Sequence, residues 1–501
     1  VTWGNGTTGI NGTVAIGNSL AGSNASDQVG SGGVTALTNG NYVVSSKFWN
    51  NGETPDAGAV TWGSGTAGVK GAVSAANSLV GSTKSDRIGS GGITGITALT
   101  NGNYVVASPI WDNGATADAG AVTWGSGTAG VKGAVSDGNS LVGSTANDKV
   151  GSGGIKALTN GNYVVASPVW DNGATADAGA VTWSSGTTGI SGAVTADNSL
   201  VGSTATDQVG SGGITALTNG NYVVISPFWN GAMTDAGAVT WGSGTTGISG
   251  AVSAANSLVG SKASDKVGSG GITVLTNDNY LVVSPLWDKG LSSDAGAVTL
   301  ADGTTGITGE VTFINSLSGS YTNDRIGEGG VTIFSDGTAA VRSPKYKSNT
   351  GRVDIVKGFY VAPDSIDFND NPGARSRIDP SEISKLLSGG TAVTLQANND
   401  ITLKSALTVN NAGGDGANLT LQAGRSILLN DSITTDNGNL TLTANETTAN
   451  GVVDANRDAG AAVITMASGQ TINAGTGTVT ITLANGAGKT NKDSGDITLQ
   501  G

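Results

Sequence analysis

One motif returns along the first two thirds of the chain at an almost constant interval. Asn-Tyr-Val-Val places its tyrosine at Tyr42, Tyr104, Tyr163, Tyr222 and, as Asn-Tyr-Leu-Val, Tyr280, with spacings of 62, 59, 59 and 58 residues. A second marker, Asp-x-Val/Ile-Gly, puts its aspartate at Asp27, Asp86, Asp148, Asp207, Asp265 and Asp324 and gives the same period. A fixed period means one supersecondary unit copied along the chain. The single 62-residue copy carries an extra Ile-Thr-Gly triplet at residues 93–95, as a loop or bulge beside a strand would.

Each period reads as four short strands. Ile155 to Leu158 and Tyr163 to Ser167 flank Thr159-Asn160-Gly161-Asn162, and Asn-Gly between β-forming runs is the strongest local signal for a hairpin. A polar loop from Trp170 to Asp177 leads to a third strand, Ala178 to Trp183, and a fourth lies within Gly192 to Ser203. Helical periodicity is absent. The expected class is all-β, and a four-stranded antiparallel unit of this length is one blade of a β-propeller. Solenoid coils of roughly 20 to 30 residues are disfavoured by the long period.

Composition narrows the chemistry. The 501 residues include 83 Gly, no His and no Cys, so neither a Ser-His-Asp or Cys-His site nor a zinc site of the usual ligands can be built. Only five Glu occur (Glu53, Glu310, Glu328, Glu382 and Glu446), in no conspicuous constellation; the expectation is no enzyme and no cofactor. A net charge of −13 with scattered Lys and Arg offers no basic face for nucleic acid. No run approaches the length of a membrane-spanning helix. The lack of Cys suits a chain secreted unfolded across two bacterial membranes. The start at Val1 without a leader implies a signal segment removed or lying outside this stretch.

The succession Asp-x-Val-Gly-x-Gly-Gly, Val-Val-x-Ser-Pro, Ala-Gly-Ala-Val-Thr-Trp and Ser-Leu-Val-Gly-Ser resembles the FG-GAP blades of integrin alpha-chain propellers over about residues 1–360. The resemblance implies blades around an axis. It does not carry the calcium loop, because Thr-Asn-Gly-Asn stands where such blades carry alternating Asp, and Asp278 is the one acid there. No metal is therefore expected to hold the array. The first 23 residues supply strands three and four, five full periods follow, and Val331 to Lys357 offers three strands. That count predicts seven blades in a longer parent, or six if the stretch closes on itself.

After Tyr360 the composition changes. Residues 1–361 are assigned to the propeller, 362–390 to a linker with one short helix, and 391–501 to a second domain. Asp379-Pro380-Ser381-Glu382 before Ile383 to Leu387 and Gly389-Gly390 predicts that helix, with Asp as N-cap, Pro at N1 and Gly as the stop. From Thr391, β triplets start at Val393, Leu419, Leu440, Val463, Val479 and Ile497. Their irregular, roughly 20-residue spacing predicts a right-handed parallel β-helix. The stretches Gly389 to Ile401 and Leu419 to Ile427 resemble the filamentous-haemagglutinin-like adhesins of the two-partner secretion route, over about residues 378–501. The chain stops at Gly501 in mid-pattern, so a longer parent is expected.

All ten Trp belong to the array. Trp49, Trp111, Trp170, Trp229 and Trp287 follow the Ser-Pro-x step or its equivalent, and Trp3, Trp62, Trp124, Trp183 and Trp241 end the third strand. The first set is the candidate ligand-binding set, since rings repeated on one face could stack on sugars. The competing role is packing between blades, which every repeat must fill, and it weighs more. The set at Trp111 and Trp170 abuts the polar Asp-Asn-Gly loop and is, of the two, the better candidate for exposure. The loop pairs Asp112 and Asp118, Asp171 and Asp177, and Asp288 and Asp294 could hold calcium weakly, but turn chemistry selects the same residues. Seven Asn-x-Ser/Thr sequons (Asn5, Asn11, Asn24, Asn418, Asn430, Asn439 and Asn445) are put down to composition.

The resemblances imply a bacterial cell-surface or secreted adhesin or extracellular structural protein. Its partners would be surface glycans or proteins of a host or neighbouring cell, an outer-membrane secretion partner, and further copies if it forms fibres. The alternatives are a filament-forming matrix subunit and a lectin-like propeller.

Overall fold

The computed structural model describes residues 1–91, 95–334, 339–356, 365–366, 380–412 and 414–500. The extra triplet at 93–95, most of the linker and the N-cap at Asp379 fall wholly or largely outside them. The chain is all-β and divides into two units, Val1–Phe359 and Tyr360–Gly501.

In the first unit the Asn-Gly segments are hairpin turns, as the sequence implies. Leu158 N–H donates to Asn162 O at 2.8 Å and Gly161 N–H to Leu158 O at 3.2 Å. The loop is thus the three residues Thr159, Asn160 and Gly161, with Gly161 left-handed at φ 89°. In the repeat where Asp278 replaces this glycine, Asp278 takes φ 71°, a conformation that short polar side chains tolerate. The strands Gly154–Ala157, Tyr163–Ser167, Ala180–Ser184 and Ser199–Val201 form an antiparallel meander.

A fifth strand was not legible in the sequence. Between the third and fourth strands of each full repeat lies a Gly-Ala or Gly-Glu pair that crosses to the preceding repeat. Gly250–Ala251 adds in parallel to Ser199–Val201, with Leu200 opposite Gly250, and the same step recurs at Gly71–Ala72, Gly133–Ala134, Gly192–Ala193 and Gly309–Glu310. Each such sheet is therefore finished by its successor.

The cores follow the same logic. One cluster unites Val105, Val122, Leu141 and Val150 of one repeat with Tyr163, Val165, Trp170 and Val201 of the next. Tyr163–Ser167 is buried along its whole length because a neighbour covers each face. The hydroxyls of the buried Ser and Thr of the strands are paired, for example Thr182 Oγ1 with Ser199 Oγ at 2.7 Å, and Ser167 Oγ accepting Gly151 N–H at 3.0 Å.

Two non-glycine residues per repeat sit in the left-handed region beside the period-marking Asp, for example Thr206 at φ 64° and Gln208 at φ 44°. Other repeats place Ser26, Ser85, Asn147, Ser264 or Asn323 at the Thr206 position, and a β-branched residue is the worst suited to it. Thr206→Asn is expected to stabilise the array by about 1 kcal/mol, read as a higher denaturant midpoint at unchanged slope.

The second unit is built of parallel strands in three sheets. The first contains Val393–Ala397, Leu419–Ala423, Leu440–Ala444 and Val479–Leu483. The second contains Ile401–Leu403, Ile427–Leu429, Ala462–Met466 and Ser494–Leu499, and the third Leu407–Thr408, Ile433–Thr434 and Ile472–Asn473. The triplets at Val463 and Ile497 therefore lie on the second sheet, not with Val393. Along the first sheet the repeat lengths are 26, 21 and 39 residues, read from the register Val393, Leu419, Leu440, Val479. Leu419, Leu440, Ile427, Ile433 and Ile464 stack inward.

The expected helix spans Pro380–Ser388. Ile383 and Leu387 join the second unit's core, so this helix is part of that unit and not a spacer. It is not the only helical segment: Tyr346–Asn349 forms an irregular helical turn, and 3-10 turns lie at Thr448–Asn450 and Asp454–Asn456.

Candidate functional site

The residues that the sequence marks as chemistry converge on the junctions between repeats. The period-marking Asp is buried in all six copies. Asp207 Oδ2 accepts the N–H groups of Ser203 and Thr204, both at 2.9 Å, while Oδ1 accepts Asn230 N–H at 2.9 Å. The first two donors follow the fourth strand of one repeat and the third follows Trp229 of the next. The carboxylate is a rivet. In Asp148 and Asp265 burial pushes the carboxyl upward, opposed by the three N–H donors. The period of this Asp is legible in the sequence, but its bonds are not.

A second tie was missed altogether. Asn160 and Asn162 in the hairpin turn each donate through Nδ2 to Gly244 O of the following repeat at 2.8 Å, and Trp183 Nε1 donates to the same carbonyl at 3.0 Å. Asn162 Oδ1 meanwhile accepts Gly186 N–H of its own repeat at 3.0 Å. One amide thus bridges two repeats. Position 244 must be glycine, since a Cβ there would stand 1.7 Å from Gly220 O. The clasp recurs on Gly127, Gly186 and Gly303. Asn162→Ala removes both bonds; Gly244 O keeps Asn160 and Trp183, but Gly186 N–H is left without its acceptor at the junction. The expected cost is about 2 kcal/mol, measurable by denaturant unfolding beside the wild type.

The candidate Trp set is buried, as the weightier role of packing between repeats requires and contrary to the exposure that sugar stacking needs. Trp49, Trp111 and Trp170 are 3% exposed, Trp287 4% and Trp229 7%. Their rings fill the inter-repeat cores, so none offers a free face to a sugar. The third-strand set is half-buried and holds the clasps. The reason is geometric: the Asp-Asn-Gly loop folds back over the ring, with Gly179 N–H donating to Trp170 O at 2.9 Å.

The loop acids make turns. Asp112 Oδ1 accepts Asp118 N–H at 2.8 Å, as Asp171 does for Asp177, and Asp118 is left-handed at φ 49°. The second acid of such a loop faces a cation from the turn of the buried Asp: Asp294 meets Arg325 at 2.7 Å and Asp235 meets Lys266 at 3.4 Å. Among the described residues no cluster of three metal-ligating side chains occurs. Of the sequons, Asn445 is fully buried and closed to a glycan in the fold; the other six are exposed.

Two shallow cavities occupy equivalent places two repeats apart. One of about 290 Å³ is lined by Gly212, Ile225, Pro227, Phe228 and Lys266, and one of about 510 Å³ by Gly329, Arg342, Pro344 and Arg352. Lys266 lies 4.8 Å from the Phe228 ring centre and Arg87 5.3 Å from that of Phe48. Phe228, and no tryptophan, is the aromatic ring in the lining of the first of these cavities.

A family model described as "Repeat of unknown function (DUF5650)" matches residues 1–31, 36–90, 98–152, 157–211, 216–269 and 274–328, more than half of the chain. No curated protein matches. Among solved structures, one described as a putative 6-phosphogluconolactonase from Bacteroides uniformis is 10% identical, with 64% of this chain and 79% of that chain covered at a TM-score of 0.28. A score that low supports no argument about fold or activity.

Proposed function

The chain belongs to the DUF5650 repeat family, and from that premise we propose that it is a non-enzymatic adhesin or extracellular structural protein of a bacterial surface. The observation that carries this reading is the use of the repeated polar and aromatic side chains as ties between repeats. The buried Asp, the turn Asn and both Trp sets are consumed in holding one repeat to the next. What the copies leave on the outside is a row of like surfaces, which suits many weak contacts to a glycan or protein coat.

The finer architecture belongs to the same proposal. We read the first unit as propeller blades, each a four-stranded meander completed by a short strand of the next repeat, and the second as a right-handed parallel β-helix. The antiparallel meanders support the former and the three parallel sheets the latter. Secretion by the two-partner route rests on the resemblance around Gly389 to Ile427. The decisive experiment offers the full chain to a glycan array and to immobilised matrix proteins. Saturable binding is expected. Turnover of glycans or lactones would overturn the reading, and self-assembly without binding would move it to the matrix subunit.

A further inference from the structure

One corner of the second unit buries two cations. It forms where the long coil leaves the first sheet after Ala444 and where residues 484–493 return. Lys489 is 6% exposed and Arg457 8%. Lys489 Nζ donates to Gly424 O at 2.6 Å and to Asn445 Oδ1 at 2.8 Å. Arg457 Nε reaches the same Gly424 O at 3.3 Å, and its Nη1 donates to Gly460 O at 3.0 Å. Arg457 Nη2 is buried with no partner.

Neither cation makes an ion pair among the described residues. The acids around the corner are engaged elsewhere. Glu446 accepts Thr447 N–H and Asn450 Nδ2, both at 2.9 Å. Asp454 holds Thr490, and Asp400 holds Arg425 and Ser426. Asp493, Asp400 and Asp454 act on Arg457, and Asp454 and Glu446 on Lys489, without an ion pair to either. Two buried charges that share one carbonyl repel each other, and burying either without a counter-charge is costly. Burial first, and then the Arg457 charge, pulls the Lys489 ammonium down to about 8. The guanidinium stays charged at any working pH.

We propose that this corner binds a small inorganic anion of chloride size, held between Arg457 Nη2 and the third hydrogen of Lys489 Nζ. An orphaned buried donor is the usual trace of an ion or water, and two cations select the ion. The anion staples the long coil to the last one. Asn445 already joins them by donating through Nδ2 to Ala484 O and Lys492 O at 3.0 Å.

The test is hydrogen exchange of the full chain near neutral pH in sodium chloride against sodium gluconate at equal ionic strength. The amides of Asn445, Gly486 and Lys489, which close this corner through Arg425 O, Asn445 O and Gly486 O, should exchange about tenfold more slowly when chloride is at ten times its dissociation constant. The array amides should not respond. Lys489→Met should abolish the difference, and so should a pH well above 8, where the amine is neutral. Equal exchange in both salts would overturn the proposal, and so would a chloride response that survives Arg457→Gln. An intact mass short by one ammonia would also overturn it, since the Lys489 amine would then be joined to the Asn445 side chain.

Discussion

The array should unfold cooperatively between pH 10 and pH 12, while its carboxylates and turns are still in their neutral-pH state. Tyr104, Tyr163, Tyr222 and Tyr280 are fully buried, and burial raises all four phenols, Tyr104 and Tyr163 to about 12. In the unfolded chain a tyrosine titrates near 10. Above that pH the unfolded state gives up protons that the native state keeps, so stability falls as pH rises. A raised phenol thus contributes stability that is complete below pH 10 and gone above its folded value. Two units on each of Tyr104 and Tyr163 amount to about 5 kcal/mol together, a large share of what holds a typical domain. Tyrosinate absorbance and far-ultraviolet dichroism followed together should change in one step. Tyr104→Phe with Tyr163→Phe should move that step to higher pH. Early titration at pH 10 with the sheets intact would show that the rings are open to solvent.

The signals that could be read from sequence were the local ones. Asn160-Gly161 between Ile155 and Val164 announced its hairpin because a left-handed glycine is needed at that point whatever surrounds it. Pro380 and Gly389-Gly390 bounded the helix for the same reason. What escaped reading depends on contacts across the period. The pair Gly250-Ala251 is too short to show a β pattern, and only Ser199–Val201 of the preceding repeat makes it a strand. Asn162 looked like a turn residue because its bridging bond ends on Gly244, some eighty residues away. In the second unit Val463 and Val393 carry the same alternation, and which sheet each joins is decided by the 39-residue coil between Leu440 and Val479. The Trp sets illustrate the limit. A polar loop beside a ring reads as exposure, yet the loop can close over the ring and bury it.

That closure sets the expected result of truncating the rings. Trp111 packs with Leu37, Val43, Val60 and Tyr104, and Trp170 with Leu99, Val122, Leu141 and Tyr163; each ring therefore lies between two repeats. Trp111→Ala or Trp170→Ala opens a cavity that the surrounding strands cannot close, because every strand is held in register by the Asp and Asn ties of its own junction. The expected cost is about 3 to 5 kcal/mol at each site, seen as a lower denaturant midpoint. The indole N–H of each buried ring finds no acceptor, so part of the loss from packing is offset when that donor is removed. Trp111→Phe, which keeps most of the volume and deletes the donor, should cost less than half as much as the alanine change. If glycan binding is detected for the wild type, all three variants should retain it at temperatures where they are folded. Loss of binding with an unchanged midpoint would return these rings to the surface and make them the ligand site.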